Sequence, residues 1–100
     1  MNTSAHASLI DGELTIYRAA ELRGMLQGAL EAALAAESDL ALDLSAVTEM
    51  DSAGVQLLLA AKKSLQARER DLQLIAPSEA VLEVLDFLDL SDHLGTGSNP

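Results

Sequence analysis

The chain has 100 residues, 49% of them hydrophobic, and its 16 Asp and Glu residues outnumber its 6 Lys and Arg residues to give a formal charge of −10. Such a charge repels phosphate backbones, so nucleic acid is not an expected partner. Cysteine is absent, which excludes disulfides, thiolate catalysis and the usual structural zinc sites. No stretch approaches the roughly 20 apolar residues of a membrane span and no signal-peptide pattern is present, so we expect a cytoplasmic protein without direct membrane insertion.

The length predicts a single domain over residues 1–100, with one core built from Leu, Ala, Val and Ile. Aromatic residues make up only 2% of the chain, and Tyr17 and Phe87 are expected to be the only rings of that core. Residues 1–6 and 95–100 are expected to be flexible ends.

The first third of the chain predicts a hairpin followed by a helix. The dipeptide Asp11-Gly12 tolerates positive φ, and it separates two short apolar stretches at residues 7–10 and 13–17. Apolar residues then recur at three- and four-residue steps from Leu22 to Leu34, which predicts an amphipathic helix over roughly residues 18–36.

The rest of the chain alternates between strands and helices. Alternation over residues 40–44 predicts a strand, joined by a connection at residues 45–50 to a helix from Ser52 to about Arg70. Residues 72–75 predict another short strand, which Pro77 stops, and Ser78 is expected to cap a third helix. The predicted fold class is therefore α/β, with a small mixed sheet of about four strands covered by three to four helices.

The stretch Asp51-Ser52-Ala53-Gly54 lies between the predicted central strand and its helix. By position Ser52 is expected to be the N-cap, with its hydroxyl where the partial positive charge of the helix accumulates. That hydroxyl is the leading candidate for a functional atom, although from the pattern alone a plain helix cap is the simpler interpretation. No histidine stands at a suggestive position to act as its base, so catalysis by the chain itself is not expected.

The angular positions along the second helix predict which side faces the core. The expected core stripe consists of Gly54, Leu57, Leu58, Ala61 and Leu65. Val55 and Leu59 fall off that stripe, flanked by Gln56 and Lys63, and beside Ser52 they would form a small partner-binding patch. The alternative, that exposed Val and Leu need no explanation, stays open.

Three segments resemble the signature of STAS domains, the fold of bacterial anti-sigma factor antagonists. They are Leu42-Asp43-Leu44-Ser45-Ala46-Val47, Met50-Asp51-Ser52-Ala53-Gly54 and the helix that contains Leu57-Leu58-Leu59. The order and spacing of elements over about residues 8–94 fit the same family. The dipeptide Val55-Gln56 departs from the Leu-Gly common after this motif, which points to a different specificity of the partner-facing surface.

The resemblance implies that Ser52 is a phosphoacceptor for a partner protein, a histidine-kinase-like serine kinase or anti-sigma factor that the unmodified form binds. The residues themselves indicate no catalytic residue, cofactor or metal site in this chain. Asp51 and Gly54 would complete the turn and, with Val55, Gln56, Leu59 and Lys63, would form the partner-binding surface. One alternative stays open: a constitutive STAS binding subunit, of a chemotaxis signalling system or of a lipid-transport complex, that acts without phosphorylation.

Overall fold

The computed structural model describes residues 7–90 and Leu94. The expected flexible ends, residues 1–6 and 95–100, lie outside the described residues. The strands are β1 (Ala7–Leu14), β2 (Leu40–Met50) and β3 (Leu72–Ile75), and the helices are α1 (Ala19–Ala35), α2 (Ser52–Gln66) and α3 (Glu79–Phe87). A 3₁₀ turn, Ile16–Arg18, lies between β1 and α1. Within the described part of the chain, the helices are all too short or too polar to cross a membrane.

The described strands form one parallel sheet in the order β1-β2-β3, so β2 is central. Along β2 the side chains of Leu40, Leu42 and Leu44 are buried. They join a single core cluster with the buried faces of all three helices, and α1 and α2 also contact each other. These strand and helix alternations confirm the predicted α/β fold class.

The core is aliphatic, and the expectation that Tyr17 and Phe87 belong to it is wrong. Tyr17 is 89% exposed and Phe87 is 87% exposed. Tyr17 lies in the 3₁₀ turn, after the alternation of β1 has ended at Leu14, while Phe87 is the last residue of α3, whose buried residues are Val81 and Leu85. Both rings are therefore on the surface.

The predicted hairpin at Asp11-Gly12 is also wrong, because β1 runs through this dipeptide as one strand. Gly12 does adopt a positive φ of 76°, but it does so at an irregularity in the pairing of β1 with β2. The guanidinium of Arg18 supports this irregularity, since Nη1 donates to the carbonyl oxygens of Asp11 and Glu13 at 2.5 and 2.9 Å. The described sheet accordingly has three parallel strands instead of about four mixed ones.

Two other boundaries differ from those predicted. The segment expected to connect the central strand to α2, residues 45–50, continues β2 and pairs with the end of β1, where Leu14 lies opposite Met50. Helix α2 ends at Gln66, and the amide of Arg70 folds back to donate to the carbonyl of Leu65 at 2.8 Å. The predicted positions of α1, of β3 and of the cap at Ser78 are confirmed.

Candidate functional site

The residue that caps α2 is Asp51, and the expectation that Ser52 is the N-cap is wrong. Asp51 has an extended backbone, and its Oδ1 accepts a hydrogen bond from the Gly54 amide at 3.1 Å. Its other carboxylate oxygen accepts from the Ile16 amide at 3.0 Å. The Ile16 amide is the main cause of a lowered pKa of Asp51, and the Gly54 amide adds to it, while burial opposes the shift. The carboxylate is therefore held ionised at the start of the helix.

Ser52 is the first residue of α2 and is exposed. Because Asp51 satisfies the Gly54 amide, the hydroxyl of Ser52 is not needed as a cap. The structure thus presents an exposed hydroxyl on the first turn of a helix whose position is fixed by the preceding residue.

Gly54 holds α2 against the end of β1. A Cβ built on this glycine would lie 2.1 Å from the carbonyl oxygen of Leu14, so only glycine allows the observed approach. The Asp51 amide donates to the same carbonyl at 3.3 Å. Gly54 is buried, so it offers no exposed surface in the free chain, and its role in the structure is to position the helix that carries Ser52.

The predicted apolar pair beside Ser52 does not form as expected. Val55 is only 2% exposed and belongs to the core, while Leu59 is half-buried and packs against the core. The reason is that the buried side of α2 includes Val55 and Lys62, seven residues apart, and is therefore rotated from the stripe predicted through Leu57. Gln56 and Lys63 are exposed, as a partner-facing role requires.

Lys62 lies on the buried side of α2, where its charge is paired. Its Nζ lies 2.8 Å from Oδ1 of Asp71, which precedes β3. The hydrogen bond from Lys62 is the main cause of a lowered pKa of Asp71. Because Lys62 is charged, the pattern of apolar residues alone did not predict that its side of α2 is buried.

The large exposed apolar residues next to Asp51 come from the 3₁₀ turn instead of from α2. Ile16 is 59% exposed, and it is joined directly to Asp51 through its amide, while Tyr17 follows it in the turn. The sequence pattern predicted both residues at the end of a strand, so this surface was not predicted. The signal available was an apolar pair that fits neither the alternation of β1 nor the periodicity of α1.

Other polar groups have local roles. Oδ1 of Asp43 accepts from the amide and the hydroxyl of Ser45 at 2.9 and 2.7 Å, and these bonds lower the pKa of Asp43. Among residues 7–90 and Leu94, no three His, Asp or Glu side chains are grouped so that they could hold a metal ion.

Residues 5–96 match the family model described as Mlab, STAS domain. The fold is similar to that of a Thermotoga maritima protein described as an anti-sigma factor antagonist, with a TM-score of 0.74 and 21% identity over 91% of this chain and 78% of that chain. It is also similar to the anti-sigma factor antagonist SpoIIAA in its unphosphorylated form, with a TM-score of 0.60 and 22% identity over 86% and 79% of the two chains. No protein with a curated description matches the sequence.

Proposed function

Since the chain belongs to the STAS domain family, we propose that it is a non-catalytic protein-binding switch, which binds a partner through the surface around Ser52 and is released when Ser52 is phosphorylated. The observation that carries the proposal is the exposed hydroxyl of Ser52 on a helix fixed by Asp51 and Gly54. The two antagonist structures support a partner-binding role for this fold. The SpoIIAA structure is described as the unphosphorylated form. This description supports phosphorylation as the kind of regulation to test.

The partner surface in this proposal consists of Ser52, Asp51, Gln56, Leu59 and Lys63. Gln56 and Lys63 are exposed, and Leu59 is half-buried, so all three present side-chain atoms to a partner. The carboxylate of Asp51 already accepts hydrogen bonds from two backbone amides. Asp51 therefore contributes to the partner surface mainly by fixing the position of Ser52.

Phosphorylation would act on binding and not on folding. A phosphate on Ser52 adds about −1.5 to −2 charges at neutral pH. The helix dipole favours this charge by ~0.3–1 kcal/mol, while the neighbouring carboxylate of Asp51 repels it by an amount on the order of 1 kcal/mol in water. These contributions nearly cancel in the free protein. In an interface, the same unpaired charge would cost several kcal/mol, which is enough to release a partner.

The phosphoryl transfer would be catalysed by the partner, a histidine-kinase-like serine kinase or anti-sigma factor, in the cytoplasm where ATP is available. The pathway would be one of transcription regulation or of chemotaxis signalling. A second candidate is a constitutive STAS subunit, such as that of a lipid-transport complex, which binds its partner without modification. The matching family model is described as Mlab, STAS domain, and this description does not mention an antagonist. It therefore supports the second candidate as well.

The two candidates differ in one measurement. The protein is incubated with its cognate kinase-like partner and ATP, and its intact mass is recorded. The switch predicts the addition of one phosphate to the wild type and none to Ser52→Ala, with Ser64→Ala on the exposed side of α2 as a control that is modified normally. No added phosphate on the wild type, with a kinase shown to be active, would refute the switch and favour constitutive binding.

A further inference from the structure

A groove beside the Ser52 turn shares only Asp51 with the partner surface of the proposed switch. It has a volume of about 420 Å³ and is lined by Tyr17 of the 3₁₀ turn and by Glu83 and Val84 of α3. The end of β2 also lines it, through Glu49 and Met50. We call this feature the Tyr17 groove. Asp51 also lines it, so the groove adjoins the turn that presents Ser52.

The charged residues that line the Tyr17 groove are all acidic. They are Glu49, Asp51 and Glu83, and no Lys, Arg or His of the described residues lines it. The ion pairs found within residues 7–90, Arg18–Glu21 and Lys62–Asp71, involve neither Glu49 nor Glu83. Two carboxylates therefore face the groove without an ion-pair partner in the described part of the chain. Such a surface favours a positively charged partner and repels a second copy of the same acidic groove.

The groove also offers an aromatic ring and apolar side chains. Tyr17 is 89% exposed in the free chain. Tyrosine commonly provides binding energy when a partner covers it at an interface. An Arg or Lys placed over such a ring gains a cation–π contact in addition to its ion pairs. Met50 and Val84 are half-buried and add apolar side chains to the lining of the groove.

A second exposed aromatic ring, that of Phe87, lies on α3. Phe87 lies four residues after Glu83 and three after Val84, so the three side chains share one face of the helix. Phe87 is 87% exposed. The acidic groove is therefore continued by an apolar residue one helical turn further along.

We propose that the Tyr17 groove binds a basic, amphipathic segment of the partner protein. An Arg or Lys of that segment stacks on Tyr17 and pairs with Glu49 and Glu83, and an apolar residue packs on Met50 and Val84. This inference rests on the proposed partner-binding function, but it concerns a surface distinct from the hydroxyl of Ser52. It identifies the partner by chemistry, as a protein whose docking segment is basic.

The chain provides its own reporter for this proposal, because it has one Tyr and no Trp. Tyrosine fluorescence of the whole protein therefore reports on Tyr17 alone. The probe is a synthetic amphipathic peptide of Arg and Leu without aromatic residues, compared with its counterpart in which every Arg is Glu. We expect the Arg peptide to change the Tyr17 emission in a saturable, salt-sensitive manner and the Glu peptide to have no effect.

The decisive variants carry equal changes of charge. Glu83→Lys is expected to weaken binding of the Arg peptide about tenfold or more, a change of ~1.4 kcal/mol. Glu31→Lys, an exposed site on α1, is expected to leave it within about twofold of wild type. Glu49→Lys serves as a second groove variant, and the melting temperature of each variant confirms folding. Equal weakening by Glu83→Lys and Glu31→Lys would overturn the proposal, because it would show attraction by net charge alone.

Two further outcomes separate this proposal from the proposed function. Normal phosphorylation of Ser52, with no response of Tyr17 to the Arg peptide, would overturn the groove and leave the switch intact. A response confined to the groove, without phosphorylation of Ser52, would support the groove and refute the switch. A Tyr17 emission that instead changes with protein concentration alone would show that a second copy occupies the groove, and would overturn the proposal.

Discussion

The carboxylate of Asp51 accepts a hydrogen bond from the backbone amide of Ile16, 35 positions earlier in the chain, at a distance of 3.0 Å. Its other oxygen accepts from the Gly54 amide within α2. One side chain thus joins the turn that exposes Tyr17 to the helix that presents Ser52. The position of the candidate phosphoacceptor therefore depends on a contact between distant parts of the sequence.

Replacement of Asp51 by Ala removes both of these hydrogen bonds. We expect the free energy of unfolding to fall by about 1–2 kcal/mol, as is typical for loss of an N-cap. Urea denaturation measures this change, and Asp11→Ala is the control because the side chain of Asp11 is exposed and makes no hydrogen bond in the described structure. A stability for Asp51→Ala equal to that of wild type would contradict the role assigned to this cap.

The contribution of Asp51 to stability should depend on pH. Its pKa is lowered from the ordinary value of 3.8, chiefly by the Ile16 amide, so the folded state holds the charged form more strongly than the unfolded state does. The stabilisation is therefore complete above that value and is lost as the pH falls through the lower pKa of the folded state. We expect the difference in unfolding free energy between wild type and Asp51→Asn to shrink below pH 3.8. A difference that stays constant into this acid range would refute the linkage.

Two glycines provide opposite predictions for the same substitution. Gly54→Ala places a Cβ against the carbonyl oxygen of Leu14, and we expect it to destabilise the protein by about 1–3 kcal/mol. Gly28→Ala, in the middle of α1 with nothing within 4 Å of the added Cβ, is expected to stabilise it by about 0.5–1 kcal/mol. Denaturant midpoints of the two variants measure both effects. Stabilisation by Gly54→Ala would show that α2 does not rest on β1 as closely as described.

The burial of Val55 predicts a cost in stability that its position beside Ser52 does not suggest. Val55→Ala removes two buried carbon groups, and we expect a loss of about 2 kcal/mol. Gln56→Ala, at the next and exposed position, is expected to stay within about 0.5 kcal/mol of wild type. Thermal and urea unfolding compare the pair. A loss of stability for Val55→Ala as small as that for Gln56→Ala would contradict the burial of Val55 in the core.

The features that could be predicted from the sequence are those that local interactions determine. Helix α1 follows from the periodicity of Leu22 and its neighbours, and the cap at Ser78 follows from a hydroxyl before a helix and after Pro77. The Asp51–Gly54 turn was located correctly for the same reason. The hydrogen bond from the Ile16 amide to Asp51 was not predictable, because these two residues are 35 positions apart in the chain.

The errors have a common physical origin in contacts between distant segments. A positive φ at Gly12 suits a hairpin turn and a strand irregularity equally well, and the pairing of β1 with β2 decides between them. The buried face of α2 is set by where β1 ends and by the ion pair of Lys62, so periodicity alone misplaced Val55. Tyr17 was expected in the core as one of the only two aromatic residues of the chain, whereas it lies in a turn outside both neighbouring elements.

The central claim is that a phosphate on Ser52 controls partner binding without unfolding the domain. The most direct measurement is the affinity of the cognate kinase-like partner for unmodified protein and for protein phosphorylated at Ser52, with the melting temperature of both forms recorded. We predict an affinity at least about tenfold weaker for the phosphorylated form, nearly equal melting temperatures, and retained binding by Ser52→Ala. Equal affinities of the two forms for the partner would contradict the account.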